Sequence, residues 1–199
     1  KEAKLFGDVE VVASSKDRNY SYIPAGYAIP NNAAYFHYTT NNTIEGTQMQ
    51  GIPSTSVPLI ADMSSDILSC SMDFNRFSFI YAGAQKNIGA AGVNLVVADK
   101  DFLATGNSAI PSMMDYRQHV ANGSMLNTPP VFAIYVCLLT LRWLKKIGGV
   151  PEIQKINEQK ADLLYSTLAS LPMFNLPVPA EDRSKMNAVF TMYDPALEK

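Results

Sequence analysis

Two stretches that contain apolar runs give the clearest indication of the fold: PLIADMSSDILS at residues 58–69 and FSFIYAGAQKNIGAAGVNLVVADKD at residues 77–101. Asp62 follows directly on the apolar run of the first stretch. Lys86 lies just past the first apolar run of the second stretch, in a loop of small residues. Runs that are apolar almost throughout, without alternation, are typical of strands buried on both faces of a sheet. We therefore expect both charged side chains to emerge where buried strands end.

The same β-branched and aromatic character, followed outward along the chain, predicts five strands. These are at residues 9–13, 33–38, 57–61, 77–82 and 93–98. The segments between them are rich in Gly, Pro, Ser and Asn, which predicts surface loops that carry functional groups at strand ends. A sheet sandwiched between helices is the architecture that this pattern favours.

A long helix is predicted after the strands. Asn127 and Thr128 offer an N-cap, and the two prolines that follow are tolerated in a first helical turn. Apolar residues at positions 131–141 occupy almost every face, which is typical of a helix packed inside a larger structure. Two glycines at positions 148–149 are expected to end this helix.

A second helix is predicted from Pro151, with apolar residues on one side and charged residues facing mostly elsewhere. Residues 186–192 predict a last strand shortly before the sequence ends. We expect the chain to be the central part of a longer protein.

Composition excludes several classes of protein. With 199 residues, 47% hydrophobic and 17% charged, the chain is not a disordered one. A net charge of -2 gives no overall positive field, so nucleic acid is not expected as a partner. The longest apolar stretch, residues 131–144, is shorter than the roughly 20 residues that span a bilayer. Cys70 and Cys137 are far apart and only two histidines are present, so we expect no metal site and a reducing, cytoplasmic setting.

Taken by themselves, Asp62 and Lys86 allow two interpretations. An active lysine needs partial desolvation, and glycines nearby allow a planar ligand to approach closely. A solvated charge or a loop cap is the other interpretation of each residue, and the residues alone favour it. His37 lies in an apolar run and is expected to be packed or hydrogen-bonded, whereas His119 is expected to be solvated.

Five motifs favour the functional interpretation of Asp62 and Lys86, because they occur in order along nearly the whole chain. They are HYTTNNTIEGTQ (37–48), PLIADMSSDILS (58–69), YAGAQKNIGAAG (81–92), NGSMLNTPP (122–130) and RSKMN (183–187). Together they resemble the successive motifs of the phosphoserine aminotransferase family. Two positions depart from that family's usual pattern: Asn42 stands where glutamate is common, and Ala90 where proline is common.

The resemblance implies an α/β fold of the aspartate-aminotransferase type, fold type I of the enzymes that use pyridoxal 5'-phosphate (PLP). Residues 1–149 would form the later part of a large cofactor-binding domain, with a mainly parallel or mixed sheet between helices. Residues 150–199 would begin a small α+β domain.

The resemblance also implies a role for individual residues. Lys86 matches the lysine that binds the cofactor covalently and later carries a proton. Asp62 matches the carboxylate that keeps the pyridine nitrogen protonated. Thr43 matches a threonine that contacts the cofactor, and Gln85 matches a residue near the cofactor phosphate.

Asn127 and Thr128 match a pair that reaches the phosphate of the neighbouring subunit's cofactor, so the resemblance implies a homodimer. A helix that begins at these residues would also favour an anion there, because its first N–H groups are unpaired. A simple helix cap is the other interpretation of the pair, and the residues alone favour it.

The implied reaction is reversible transfer of an amino group between L-glutamate and 3-phosphohydroxypyruvate, which gives O-phospho-L-serine and 2-oxoglutarate in serine biosynthesis. The related 4-phosphohydroxythreonine couple of vitamin B6 synthesis is also implied. Two alternatives stay open: another enzyme of the same fold, such as a different transaminase or a cysteine desulfurase, and a scaffold that retains the fold without cofactor.

Overall fold

The structure is a computed structural model that describes residues 2–106 and 109–197. Its centre is a four-stranded mixed sheet with the order β1-β4-β5-β6. β1 is parallel to β4 and β4 is parallel to β5, whereas β5 and β6 are antiparallel. The strands of the described residues are β1 (Phe36–Thr39), β2 (Asn41–Asn42), β3 (Thr47–Gln48), β4 (Leu59–Asp62), β5 (Phe79–Gly83), β6 (Asn94–Ala98), β7 (Phe174–Asn175) and β8 (Thr191–Met192).

The described α-helices all follow the four strands of the central sheet in the chain. The α-helices are α1 (Lys100–Ala104), α2 (Tyr116–Ala121), α3 (Val131–Lys146) and α4 (Val150–Ser170). Short 3-10 helices are present at Glu2–Leu5, Lys16–Arg18, Phe74–Arg76, Ser112–Met114, Ala180–Asp182 and Pro195–Leu197. None of the described helices is long and apolar enough to cross a bilayer.

The core lies between the two central strands and α3. Ala61 of β4 and Ile80 and Ala82 of β5 are buried in one cluster together with Cys137 of α3. Gly89 brings the loop after β5 onto α3, since a Cβ at this position would lie 2.7 Å from Cys137 Sγ and 2.9 Å from its backbone nitrogen. The Cys137 thiol is buried at this contact.

Four of the five predicted strands are present, and one is not. The segment at residues 9–13 has no regular structure and is largely exposed. Valine favours strands only where a neighbouring strand and a packing surface are available, and no described strand pairs with this segment. β6 also differs from the expectation of burial on both faces: it lies at an edge of the described sheet, opposite β1, and three of its five residues are exposed.

The start of the long helix was predicted incorrectly. α3 begins at Val131, and its N-cap is Pro130 instead of Asn127 or Thr128. A residue that precedes proline is kept out of the helical region, so two consecutive prolines hold the preceding backbone extended. Ala133 and Cys137 are buried in α3, while most of the helix surface is exposed within the described chain.

The part of the described chain after α4 contains two short strands, β7 and β8. Of the strand predicted at residues 186–192, only Thr191 and Met192 are in a strand, and β8 pairs with β7. The residues before them are irregular because Met186 and Asn187 donate their backbone N–H groups to Ser184 Oγ. Gly148 and Gly149 separate α3 from α4 with positive φ angles of 112° and 78°. The division into two domains at this point stays a prediction.

Candidate active site

Two parallel strands bring the candidate residues to one edge of the sheet. Asp62 is the last residue of β4, and Gly83 is the last residue of β5. Since parallel neighbouring strands end at the same edge, the loop after β5 begins next to Asp62. Ser64 joins the two strand ends: its backbone N–H donates to Asp62 Oδ1 at 2.8 Å, and its Oγ accepts from the Gly83 N–H at 3.1 Å.

The loop after β5 directs Lys86 away from the core. Ala84 and Ile88 are buried, and the N–H groups of Ile88 and Gly89 both donate to the Ala84 carbonyl, at 3.0 and 2.8 Å. This single tight turn leaves Gln85 and Lys86 exposed between its buried ends. Lys86 is thus presented at the sheet edge, as the sequence predicted.

Thr43 meets Lys86 from a different part of the chain. It follows β2 and is exposed, and its Oγ1 accepts a hydrogen bond from Lys86 Nζ at 3.1 Å. A residue 43 positions earlier is thereby brought against the lysine. The predicted pairing of these two side chains in one site is consistent with this contact, although their roles stay predictions.

Gln85 folds back over Gly83. A Cβ built on Gly83 would lie 2.5 Å from Gln85 Oε1 and 2.9 Å from Nε2. The missing side chain at position 83 is therefore what leaves room for the Gln85 amide beside the strand end. An amide there offers two N–H donors at the same edge as the lysine.

Tyr81 and His37 form a pair behind Asp62 that the sequence interpretation did not single out. His37 Nε2 lies 3.0 Å from the Tyr81 hydroxyl, which confirms the expectation that His37 is hydrogen-bonded. Burial, assisted by the charge of Asp62 and a hydrogen bond with it, raises the pKa of Tyr81 to about 12. Desolvation lowers the pKa of His37, while the charge of Asp62 opposes that change. The available signal was the position of Tyr81 at the start of the YAGAQKN motif.

A buried carboxylate lies below the site and was also missed. Asp66 accepts hydrogen bonds from the Thr40 hydroxyl and from Gln48 Nε2. Burial raises the pKa of Asp66, and those two hydrogen bonds oppose part of the rise. The hydrogen bond between Thr40 and Asp66 therefore joins the segment that precedes Thr43 to the segment that follows Asp62.

The one described side-chain hydrogen bond of Asn127 and Thr128 joins them to each other. Both are exposed, and Asn127 Nδ2 donates to the Thr128 carbonyl at 3.1 Å. Within the described residues, no hydrogen bond joins either of them to Asp62, Thr43 or Lys86. Their predicted role toward a neighbouring subunit stays a prediction.

His119 is half-buried and lies in α2, and its Nε2 is 3.0 Å from the Met113 carbonyl, so the expectation that it is solvated is met only in part. Among the described residues, no group of three or more His, Cys, Asp or Glu side chains is arranged to hold a metal ion.

Known proteins are similar to this chain over nearly its full length. The family model described as Aminotransferase class-V matches residues 2–199. Phosphoserine aminotransferase of Flavobacterium johnsoniae is 55% identical over 195 residues, which are 98% of this chain and 55% of that protein. The chain thus spans about half the length of the curated relatives it matches.

Solved structures give the same result. Phosphoserine aminotransferase from Bacillus circulans subsp. alkalophilus superimposes with a TM-score of 0.95 at 43% identity, covering 99% of this chain and 56% of that one. The PLP-bound phosphoserine aminotransferase from Trichomonas vaginalis has a TM-score of 0.84 at 37% identity, covering 89% and 53%. The fold predicted from the motifs is therefore confirmed.

Proposed function

The chain belongs to the class-V aminotransferase family, and from that premise we propose that it catalyses the phosphoserine aminotransferase reaction. An amino group passes reversibly between L-glutamate and 3-phosphohydroxypyruvate, giving O-phospho-L-serine and 2-oxoglutarate. The observation that carries the proposal is the contact of Lys86 Nζ with Thr43 Oγ1 at the edge where the Asp62 strand ends. The related 4-phosphohydroxythreonine couple is included in the proposal.

The residues at this edge fit PLP. Lys86 offers an exposed primary amine, which is the group that an aldehyde requires. Asp62 offers a carboxylate whose Oδ1 is already oriented by the Ser64 N–H. Gln85 offers an amide in the space that Gly83 leaves open, suited to a phosphate oxygen. These three groups match the aldehyde, the pyridine nitrogen and the phosphate of the cofactor.

PLP, when bound, supplies a ring that accepts the electrons released as the substrate loses its α-proton. Lys86 Nζ would hold the cofactor through its aldehyde and, once substrate has released it, the free amine would take up the substrate α-proton and hold it for return. Thr43 Oγ1 accepts a hydrogen bond from the amine and so orients it toward the site. The negative charge of Asp62 would favour a proton on the ring nitrogen of the bound cofactor.

The second subunit completes the proposed site. We place Asn127 and Thr128 against the cofactor phosphate of the neighbouring subunit in a homodimer. Their exposure supports this placement, because both side chains are accessible to a second subunit. We propose that the enzyme works in the cytoplasm, with L-glutamate and the phosphorylated oxoacid as its small-molecule partners.

Borohydride reduction of the full-length protein tests the proposal. We expect the mass of one reduced cofactor on the peptide that contains Lys86, and turnover of L-glutamate with 3-phosphohydroxypyruvate. Lys86→Ala should lose both the adduct and the turnover, while Lys100→Ala, which changes another exposed lysine, should retain them. An adduct with turnover only of other amino donors would assign a different transaminase or a desulfurase. Absence of the adduct would contradict the cofactor assignment itself.

A further inference from the structure

Thr43 is held from two sides. Its side-chain oxygen accepts from Lys86 Nζ at 3.1 Å, and its backbone carbonyl accepts from Asn187 Nδ2 at 3.1 Å. Asn187 is 144 residues further along the chain, beyond α4. The segment after α4 therefore reaches the residue that contacts the lysine.

The orientation of the Asn187 amide is determined by its other contacts. Its Oδ1 accepts from Asn41 Nδ2 at 3.0 Å and lies 3.0 Å from Ser184 Oγ. Its own backbone N–H donates to Ser184 Oγ at 3.2 Å. Because the oxygen side of the amide has these partners, the nitrogen side is left to point at Thr43.

The groups that hold Asn187 are themselves buried and fixed. Asn41 and Ser184 are 2% and 1% exposed, so water cannot replace their hydrogen bonds. Asn41 Nδ2 also donates to Ser65 Oγ at 2.9 Å, which ties the network to the segment after β4. The Tyr165 hydroxyl donates to the Ser184 carbonyl at 2.8 Å, which ties it to α4.

We propose that Asn187 is a positioning residue for Lys86, because it fixes the Thr43 backbone so that Thr43 Oγ1 lies against Lys86 Nζ. It acts through Thr43 and does not itself touch the lysine. The inference rests on the proposed function only in giving Lys86 its role toward the cofactor. The contact between the two side chains is independent of that role.

The first measurement is the reactivity of Lys86 in the full-length protein without cofactor. A limiting amount of an amine-acetylating reagent is applied, and the modified fraction of Lys86 is read by peptide mass spectrometry, with Lys100 as internal reference. Asn187→Asp keeps the oxygen that Asn41 and Ser184 contact but loses the donor to Thr43. We expect acetylation of Lys86 to become about 3- to 10-fold faster, the effect of losing one hydrogen bond.

The matched control is Asn175→Asp. Asn175 lies in the same part of the chain, is not part of the network, and its Nδ2 donates to Thr191 Oγ1 at 3.0 Å. It undergoes the same chemical change, and the rate at Lys86 should not alter.

A double-mutant cycle separates positioning from general loosening. Thr43→Val removes the hydroxyl and should by itself speed acetylation of Lys86. If Asn187 acts through Thr43, adding Asn187→Asp to Thr43→Val changes the rate less than twofold. An unchanged rate in Asn187→Asp alone, or the full 3- to 10-fold effect in the Thr43→Val background, would overturn the inference.

Addition of PLP gives the second measurement. Attachment of the cofactor, trapped with borohydride and counted by intact mass, should be slower in Asn187→Asp than in Asn175→Asp. A wild-type protein that takes up no cofactor would remove the proposed function, and the acetylation rates would still decide whether Asn187 positions Lys86. The two failures are therefore distinguishable.

Discussion

The buried Asp66 carboxyl is a single residue that makes the free energy of unfolding depend on pH. Its folded-state pKa is raised by burial, so the native state holds a proton that the unfolded chain releases near pH 4. Stability is therefore full at pH values below the unfolded pKa and falls as the pH rises through the folded pKa. The slope is at most about 1.4 kcal/mol per pH unit.

Asp66→Asn removes that titration. The asparagine is neutral throughout and keeps an oxygen that can accept from the Thr40 hydroxyl. In urea unfolding from pH 4.5 to 8, we expect the free energy of unfolding of wild type to fall relative to Asp66→Asn as pH rises. Parallel curves for the two proteins would show that Asp66 does not titrate in this window.

Gly83 is the second residue whose effect is local. In Gly83→Ala the new Cβ meets the end of the Gln85 side chain, which is flexible and can move away, so we expect the fold to be retained. The displaced amide would lose the contact that we propose with the cofactor phosphate, which should weaken PLP binding roughly tenfold. Gly51→Ala, where a Cβ meets nothing within 4 Å, is the control. Equal affinity of the two variants for PLP would remove Gln85 from the phosphate site.

The sequence could predict residues whose own chemistry marks them as functional. It could not predict residues whose role depends on a contact that only the folded chain makes. Lys86 and Asp62 could be placed because each follows an apolar run, and strand ends are where functional groups emerge. The contact of Asn187 with Thr43 joins positions 144 residues apart, and no local periodicity encodes it. RSKMN was recognised as a motif, but its place against Thr43 required the fold.

Strands and helices could be predicted where the residues within the element determine its structure. β4 and β5 lie within a residue or two of the predicted bounds because their apolar runs are buried by neighbours on both sides. The start of α3 was missed because the two prolines act on the residues before them. The segment at residues 9–13 was missed because a strand also requires a partner.

Gly89 makes the placement of the lysine loop depend on α3. Gly89→Ala sets a Cβ 2.9 Å from the backbone of Cys137, and a helix backbone cannot move aside as a side chain can. We expect a loss of about 1–3 kcal/mol in the free energy of unfolding, the range for overpacking, and a lower cofactor content as the loop shifts. Chemical denaturation checks the first result and absorbance of bound PLP the second. Gly7→Ala adds the same methyl in open space and should match wild type; equal stability of both variants would contradict the close packing.

On the scale of the whole molecule, α3 presents an apolar surface that the described chain does not cover. Phe132 is 76% exposed and Trp143 is 51% exposed. The chain spans about half the length of its curated relatives, so part of this surface is available to other segments and to a second subunit. Phe132 lies four residues after Thr128, and the proposed homodimer therefore predicts that the N-terminal turn of α3 lies at the interface.

Phe132→Asp in the full-length protein should separate the subunits, because it places a charge in an apolar contact. Sedimentation at micromolar concentration should then detect a monomer. Its cofactor content should fall in parallel, since Asn127 and Thr128 would no longer reach the other subunit's phosphate. Leu163→Asp puts the same charge at a 71% exposed position of α4 and should leave both the dimer and the cofactor unchanged. A Phe132→Asp protein that is still a dimer with full cofactor content would place the start of α3 outside the interface.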